Sequence, residues 1–317
     1  MMEKKKLTAV KKLRDGYGNI FGFHIDGRYW ASASAGLLYI WDEFSVNKSY
    51  EIPGYERGNI VFTKNGLIRI GLFELDYRNG EKKYHHHIVE NFALQLGRHA
   101  PAHFSQYSIR EVLNFDDEDM LVAAIAYQPS KLLGAKNNFS GPTNRLMVFK
   151  RSSGELLHVL AENYERISYA NLISSANILC YTFDDDRCIS LPLLNSGITK
   201  VRNELGQFVP FAKHGNNIIS GSYNNNIIQF REAVSLKLTG QLSFKFEEVN
   251  AICYNEQHAL NFVACNSNLL QCWNINNEIN DTLQLSGTIE GVGTGKQNFC
   301  MAAVAGQENI IEVFSIN

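Results

Sequence analysis

Short apolar runs alternate with polar turns along the chain, and one phrase of this kind returns near the C-terminal end at nearly constant spacing. Each copy has an apolar run, a polar turn rich in Asn or Gly, and a second apolar run that closes on an aromatic residue. The closing aromatics are Phe230, Trp273 and Phe314, so the steps between copies are 43 and 41 residues. Short apolar runs bounded by turn residues predict β-strands, so each copy predicts a hairpin.

Earlier copies keep the same spacing. A copy at 29–42 closes on a Trp-Asp pair, one at 120–150 is divided by an insertion, and one at 177–191 has Leu in the aromatic position. From Phe149 to Leu191 is 42 residues, and the next step is 39 residues. A period of about 40–45 residues with four short strands per unit is typical of the blade of a β-propeller.

A further blade is predicted between Trp41 and Phe149, because this step of 108 residues is about 26 longer than two blades need. Its strands are predicted at 60–63, 67–77 and 83–89. The last two are joined at Asn79-Gly80, which is a strong hairpin signal. The sequence thus predicts an all-β fold, a seven-bladed propeller, in a single domain of residues 1–317. The predicted blades span roughly 15–55, 56–97, 98–162, 163–205, 206–246, 247–287 and 288–317.

The last predicted blade lacks a fourth strand, because the chain stops three residues after Phe314. The N-terminal segment at about 7–13 is an unassigned strand, and we expect it to complete the blade at 288–317. Such pairing would close the ring and protect strand edges that otherwise favour aggregation. The glycine-rich segment 291–296 does not have the spacing of a phosphate-binding loop, and it is predicted to be a connection into this blade.

Over essentially its whole length the chain resembles the WD40-repeat family. The resemblance rests on the strand–turn–strand phrase, the Trp41-Asp42 pair and the spacing of 39–43 residues. The chain departs from the family pattern because it has no Gly-His dipeptide and because one blade alone has an acidic residue after its aromatic. We therefore expect strand packing, rather than the family's buried side-chain network, to hold the blades. The resemblance implies a non-catalytic scaffold that holds peptides or subunits.

The composition agrees with a soluble globular protein. Hydrophobic residues make up 45% and charged residues 20% of the chain, and the net charge of −2 gives no indication of nucleic-acid or membrane binding. No segment approaches the length of a membrane span or a signal-peptide core. The six cysteines have no C-x-x-C spacing, which favours a reducing compartment. We expect a cytoplasmic protein, with the nucleus as an alternative, that acts as a monomeric propeller within a hetero-complex.

Two neighbouring blades carry long polar loops, at 78–87, 98–107 and 128–145. We expect the three loops to share one end of the ring, because the turn between the second and third strands lies beside the connection to the next blade. Long loops on a rigid scaffold often carry function. The candidate partner-binding residues in these loops are basic, histidine or aromatic: Arg78, Lys82, Lys83, Tyr84, His85, His87, Arg98, His99, His103, Phe104, Tyr107, Lys131, Lys136, Phe139 and Arg145.

Positive charge interleaved with aromatic residues suits an acidic or phosphorylated segment of a partner protein. The first hypothesis is therefore a non-enzymatic scaffold or adaptor subunit. The same composition suits phosphates and bases, so an RNA-associated accessory subunit of a modification or processing complex is an alternative.

A third alternative is a divergent metal-dependent hydrolase. On a strand, His85 and His87 would project to one face, with His99 or His103 as the third ligand. No carboxylate or cysteine lies at ligand spacing in these loops, and the predicted inner strands carry no convergent carboxylates. We therefore predict no metal site, no cofactor and no catalytic residue.

Overall fold

The structure is a computed structural model, and its regular architecture is all-β, as predicted from the sequence. It describes residues 5–24, 27–34, 36–52, 57–85, 87–88, 107–114, 119–127, 144–163, 167–173, 178–183, 188–194, 197–198, 208–214, 217–222, 227–232, 237–243, 249–265, 268–274, 278–295 and 298–317. Within these residues the strands form seven sheets.

The first three sheets come from the N-terminal half of the chain. The first sheet contains β2 (Ile20–Phe23), β3 (Tyr29–Ser34), β4 (Leu37–Asp42) and β5 (Ser45–Glu51). The second contains β7 (Ile60–Phe62), β8 (Leu67–Ile70), β9 (Phe73–Asp76) and β10 (Lys82–Tyr84). The third contains β11 (Tyr107–Asn114), β12 (Met120–Tyr127), β13 (Asn144–Lys150) and β14 (Leu156–Asn163), and the short β6 (Arg57–Gly58) joins it parallel to β11.

Four more sheets follow in chain order. The fourth contains β15 (Ile167–Ile173), β16 (Ile178–Phe183), β17 (Cys188–Leu194) and β18 (Gly197–Ile198), and the fifth contains β19 (Phe208–His214), β20 (Asn217–Ser222), β21 (Ile227–Glu232) and β22 (Leu238–Ser243). The sixth contains β23 (Val249–Asn255), β24 (Leu260–Cys265), β25 (Leu269–Trp273) and β26 (Ile279–Gln284). The seventh contains β27 (Thr288–Thr294), β28 (Phe299–Ala305), β29 (Ile310–Ile316) and β1 (Leu7–Leu13).

The N-terminal strand β1 pairs antiparallel with β29, so that Leu7 lies opposite Ile316 and Leu13 opposite Ile311. A register shift interrupts this pairing, because Ala9 lies opposite Phe314 while Lys11 lies opposite the adjacent residue Val313. The same shift, a β-bulge, occurs between the third and fourth strands beside other closing aromatics of the sequence phrase. These aromatics are Trp41, Phe149, Phe230 and Trp273.

The first strands of neighbouring sheets lie side by side, and where the side chains are described, adjacent sheets meet through apolar residues. Thus β27 lies against β2, β2 against β7, and β11, β15, β19, β23 and β27 follow one another in the same way. Between the second and third sheets the contact runs from β8 to β11. Separate apolar clusters fill the spaces between sheets, which is where the buried Cys265, Cys272 and Cys300 lie as free thiols.

The glycine-rich segment predicted as a connection is a strand instead. Gly291 and Gly293 belong to β27, the first strand of the seventh sheet. A methyl group built on Gly291 would lie 2.2 Å from the backbone oxygen of Asn19, and one on Gly293 would lie 2.8 Å from Phe21. Glycine is used here because the backbones of the seventh and first sheets approach more closely than any side chain permits.

Each antiparallel sheet has two ends. One end holds the turn between the second and third strands and the chain that leads to the next sheet, and we call it the connection end. The opposite end holds the turns between the first and second and between the third and fourth strands. The seventh sheet follows the same plan, since Asn317 and Lys6, at the opposite end of β29 and β1, exchange two backbone hydrogen bonds of 3.0 Å.

Candidate functional site

The predicted partner-binding residues fall into two groups. The structure describes the positions of Arg78, Lys82, Lys83, Tyr84, His85, His87, Tyr107 and Arg145. The remaining candidates lie outside the described part of the chain: Arg98, His99, His103, Phe104, Lys131, Lys136 and Phe139. The anchor points of two predicted loops do meet. Tyr107 lies opposite Tyr127 and Ala126 lies opposite Asn144, so the loop that ends at Tyr107 and the insertion after Tyr127 share the connection end of the third sheet.

The expectation that all three loops share one end is wrong for the loop that begins at Arg78. The sequence pattern predicts one strand over 67–77, but Gly71, with a positive φ of 54°, divides it into β8 and β9. The hairpin at Asn79-Gly80 is confirmed, but it joins the third and fourth strands of its sheet. Arg78 therefore lies at the opposite end from the other two loops.

The histidine run also differs from the expected strand geometry. β10 ends at Tyr84, which packs against the apolar clusters on both sides of the second sheet. His85 is 1% exposed and lies in the interior rather than on the surface, and its ring centroid is 5.3 Å from that of His87. Nε2 of His87 lies 2.8 Å from the backbone oxygen of Arg151. These contacts give His85 a place in the packing between the second and third sheets.

A buried polar cluster surrounds His85. Arg69 donates to Glu74 across β8 and β9 at 3.0 Å, and Nε2 of His85 lies 3.9 Å from the same carboxylate. The guanidinium of Arg151 is also buried, and it lies 3.4 Å from the backbone oxygen of Gly71. Burial, followed by the positive charge of Arg151, lowers the pKa of His85 to about 4, so the imidazole is neutral at pH 7.

A second group of side chains, which the sequence interpretation did not single out, lies at the opposite end of the first and second sheets. His24, Tyr29, Phe62 and Tyr77 are partly exposed, and their rings touch across the boundary between the two sheets. Ring centroids are 5.7 Å apart for His24 and Phe62, and 6.1 Å apart for Tyr29 and Tyr77. We call these four residues the aromatic patch.

Basic side chains surround the aromatic patch. The guanidinium of Arg28 lies over the ring of Tyr29 at 5.4 Å and forms a bidentate pair with Asp42 at 2.7 and 2.9 Å. Arg78 pairs in the same way with Asp76 at 3.0 and 2.9 Å, and these hydrogen bonds lower the pKa of Asp76 to about 2.

Two lysines bridge the first and second sheets beside the patch. Nζ of Lys48, on β5, lies 3.4 Å from the backbone oxygen of Tyr77. Nζ of Lys82, on β10, lies 5.1 Å from the ring centroid of Tyr50. Both lysines are exposed, so they add positive charge to the outer side of the boundary between the sheets.

Within the described ranges, no group of three or more His, Cys, Asp or Glu side chains is placed to hold a metal ion. The same part of the chain contains no helix long and apolar enough to cross a membrane.

The fold is that of a β-propeller. The chain is similar to a solved structure titled as the Cps50 (Swd1) beta-propeller domain of Myceliophteria thermophila, with a TM-score of 0.70 over 98% of this chain and 100% of that one. This likeness confirms the prediction of a WD40-type propeller, and at 11% identity it concerns the fold alone. Since 1635 solved chains match, the fold does not by itself select a function. No protein-family model and no curated protein matches the sequence.

Proposed function

We propose that this protein is a non-enzymatic scaffold or adaptor subunit that binds a partner protein. The observation that carries the proposal is the fold, in which sheets packed side by side present many turns and connections at two ends. Such a framework holds loops in fixed relative positions, which favours recognition of another protein. The free, buried cysteines among the described residues support a reducing compartment, such as the cytoplasm or the nucleus.

We also propose that the chain is one domain, residues 1–317, that forms a seven-bladed ring closed by β1. Two observations support this arrangement. Beside β29, β1 takes the place of a fourth strand, with the bulge that other sheets have beside their closing aromatic. The close approach of Gly291 to Asn19 brings the seventh sheet against the first. A closed ring leaves no long edge strand to pair with another chain.

The partner surface in this proposal is formed by the loops at 98–107 and 128–145, which are anchored together at the connection end of the third sheet. Basic and aromatic side chains in these loops suit an acidic or phosphorylated segment. The residues proposed to bind are Arg98, His99, His103, Phe104, Tyr107, Lys131, Lys136, Phe139 and Arg145. In this arrangement the propeller is monomeric within a hetero-complex.

Affinity capture with quantitative mass spectrometry tests the proposal. The full chain is compared with a variant in which 129–143 is replaced by a short Gly-Ser linker, and with Lys150→Glu as a control at the opposite end of the third sheet. We expect the linker variant to lose the captured partner and to keep its unfolding midpoint within about 2 °C, because surface-loop length has little effect on stability. The control should keep the partner.

An unchanged set of captured proteins would refute this choice of surface. Capture of RNA instead would favour the RNA-associated alternative. In that case the affinity for RNA should fall steeply as the salt concentration rises. This dependence on salt should be weaker in Lys131→Gln and Lys136→Gln variants, because with fewer phosphate contacts fewer counterions are released on binding.

A further inference from the structure

The boundary between the first and second sheets is built differently from the corresponding boundary between the sixth and seventh. There, Nδ2 of Asn255 donates to Oγ1 of Thr294 at 2.7 Å and to the backbone oxygen of Gly295 at 3.1 Å. Nε2 of His258 lies 2.7 Å from Oδ1 of Asn298. Polar side chains thus satisfy one another at that boundary, which is the ordinary way to finish a sheet end at the surface.

At the first boundary the same place is occupied by aromatic rings that remain partly exposed. Rings bury more apolar area than other side chains when they are covered, so leaving several of them open at one place forgoes stabilisation. The exposure of these rings, in contrast to the polar contacts between the sixth and seventh sheets, points to a surface on which another molecule docks. The offset and edge-on ring contacts also fix the ring positions before any partner arrives.

The charge around the aromatic patch selects the occupant. In both arginine–aspartate pairs the cation faces solvent and the carboxylate lies beneath it. The side chains of Arg28 and Arg78 are each 61% exposed, whereas those of Asp42 and Asp76 are 29% and 16% exposed. The surface around the patch therefore presents the guanidinium groups of Arg28 and Arg78, whose orientation the aspartates fix. Bidentate pairing with Asp76 uses only Nε and Nη2 of Arg78, so the guanidinium retains N–H groups of its Nη1 for another acceptor.

We propose that the aromatic patch docks a short acidic segment of a partner protein, one that carries a proline or aromatic residue among its carboxylates. The apolar residue of the segment packs on the rings of Phe62 and Tyr77, and the carboxylates contact Arg28, Arg78 and the lysines at 48 and 82. Two exposed carboxylates, Glu43 and Glu81, adjoin these cations, and the charge of Glu43 acts on Arg28. This inference goes beyond the proposed function, because it assigns a second interface at the end opposite to the loops.

Selection from a displayed library of random 12-residue peptides on the folded full chain tests the inference. Enriched peptides are then measured by fluorescence anisotropy against the wild type and against Lys48→Glu/Lys82→Glu. These lysines are exposed, so the variant should fold normally. Reversal of two peripheral charges is expected to weaken binding by about tenfold. Lys150 is an exposed lysine of the third sheet, at the end opposite to the connection end, as the patch is in the first two sheets. Lys150→Glu is therefore the matched control and should leave the affinity within about twofold of the wild type.

The composition of the selected peptides and a ring variant decide the result. We expect the selected peptides to be acidic and to contain a proline or aromatic residue. Tyr77→Ser should also weaken their binding, whereas replacement of 129–143 should leave it unchanged. Neutral or basic peptides, no enrichment, or equal binding to all variants would overturn the proposal. Binding of a single-stranded oligonucleotide that depends on the same lysines would overturn it in favour of RNA. Because the loops are not needed here, failure of this site leaves the loop hypothesis intact.

Discussion

Burial decides the chemistry of individual residues in this protein more than residue type does. His85 lies in a run of three histidines that suggests an exposed, ligand-rich hairpin, yet it is enclosed between the second and third sheets. Among the described residues, neither of its ring nitrogens has a hydrogen-bond partner. The sequence cannot distinguish these situations, because the turn at Gly71 that brings the end of β10 against the third sheet has no strong local signal.

His85 should make the protein sensitive to acid. Its pKa in the folded protein is lowered to about 4, below the usual value of 6.5 that it regains on unfolding. The unfolded state therefore binds a proton first as the pH falls, and stability is lost between about pH 6.5 and 4. His85→Leu removes this loss, which we expect to be about 3 kcal/mol at pH 4. Denaturant unfolding at several pH values measures the difference.

At pH 7 the same substitution should cost little, because the neutral imidazole makes no hydrogen bond to any described residue that leucine would break. His258→Asn, in the turn after β23, is the control and should retain the wild-type loss of stability in acid. Parallel pH profiles for the wild type and His85→Leu would show that the imidazole is not buried between the sheets as described.

At the scale of single elements, the sequence pattern predicted the recurring strands but missed the turn at Gly71 that separates β8 from β9. The strands recur near the predicted spacing, although β14 ends at Asn163, one residue past its predicted range, and β6, from the second range, pairs in the third sheet. The Asn79-Gly80 hairpin lies where it was predicted. The aromatic patch could not be predicted, since its members come from four separate positions in two sheets. Aromatic residues at the ends of predicted strands in adjacent blades were the available signal.

The bulge in β1 explains how one strand seals two boundaries. Leu7 and Leu13 are six residues apart and would share a face in a regular strand, because side chains alternate with a period of two. The extra residue, Val10, reverses that order. Leu7 therefore packs in the cluster shared with the sixth sheet, and Leu13 packs beside Trp30 of the first sheet.

Deleting Val10 should therefore destabilise the protein although Val10 itself is 46% exposed. Without the bulge, one of the two leucines must leave its cluster, at a cost of about 2–3 kcal/mol. Denaturant unfolding measures this loss. The control Val10→Thr keeps the bulge and should stay within about 0.5 kcal/mol of the wild type. Equal stability of the deletion and the control would mean that the register of β1 is not fixed by its leucines.

At the scale of the whole molecule, the arrangement depends on the contacts between the seventh sheet and the N-terminal strands β1 and β2. Two separate features join the seventh sheet to the N-terminal part. One is the pairing of β1 with β29, and the other is the contact of β27 with β2 along a row of glycines. Strand pairing was predictable, because an unassigned strand and an incomplete blade required each other. The glycine contact was not, because its spacing suggested a loop.

Gly291→Ala tests whether this contact closes a ring. The added methyl group would lie 2.2 Å from the backbone oxygen of Asn19, which cannot turn aside as a side chain can, so the two sheets must separate. We expect a loss of about 2 kcal/mol or more in denaturant unfolding, with larger species in size-exclusion chromatography as strand edges open.

Gly306→Ala, in the turn between β28 and β29 of the same sheet, is the matched control for this effect. A methyl group there would meet no atom closer than 4.0 Å, and it should change stability by less than about 0.5 kcal/mol. If the two variants are equally stable, the first strands of the seventh and first sheets do not lie in contact, and the proposed closed ring is wrong. If only Gly291→Ala is destabilised, ring stability depends on a backbone contact between sheets far apart in sequence, which β1 pairing alone does not provide.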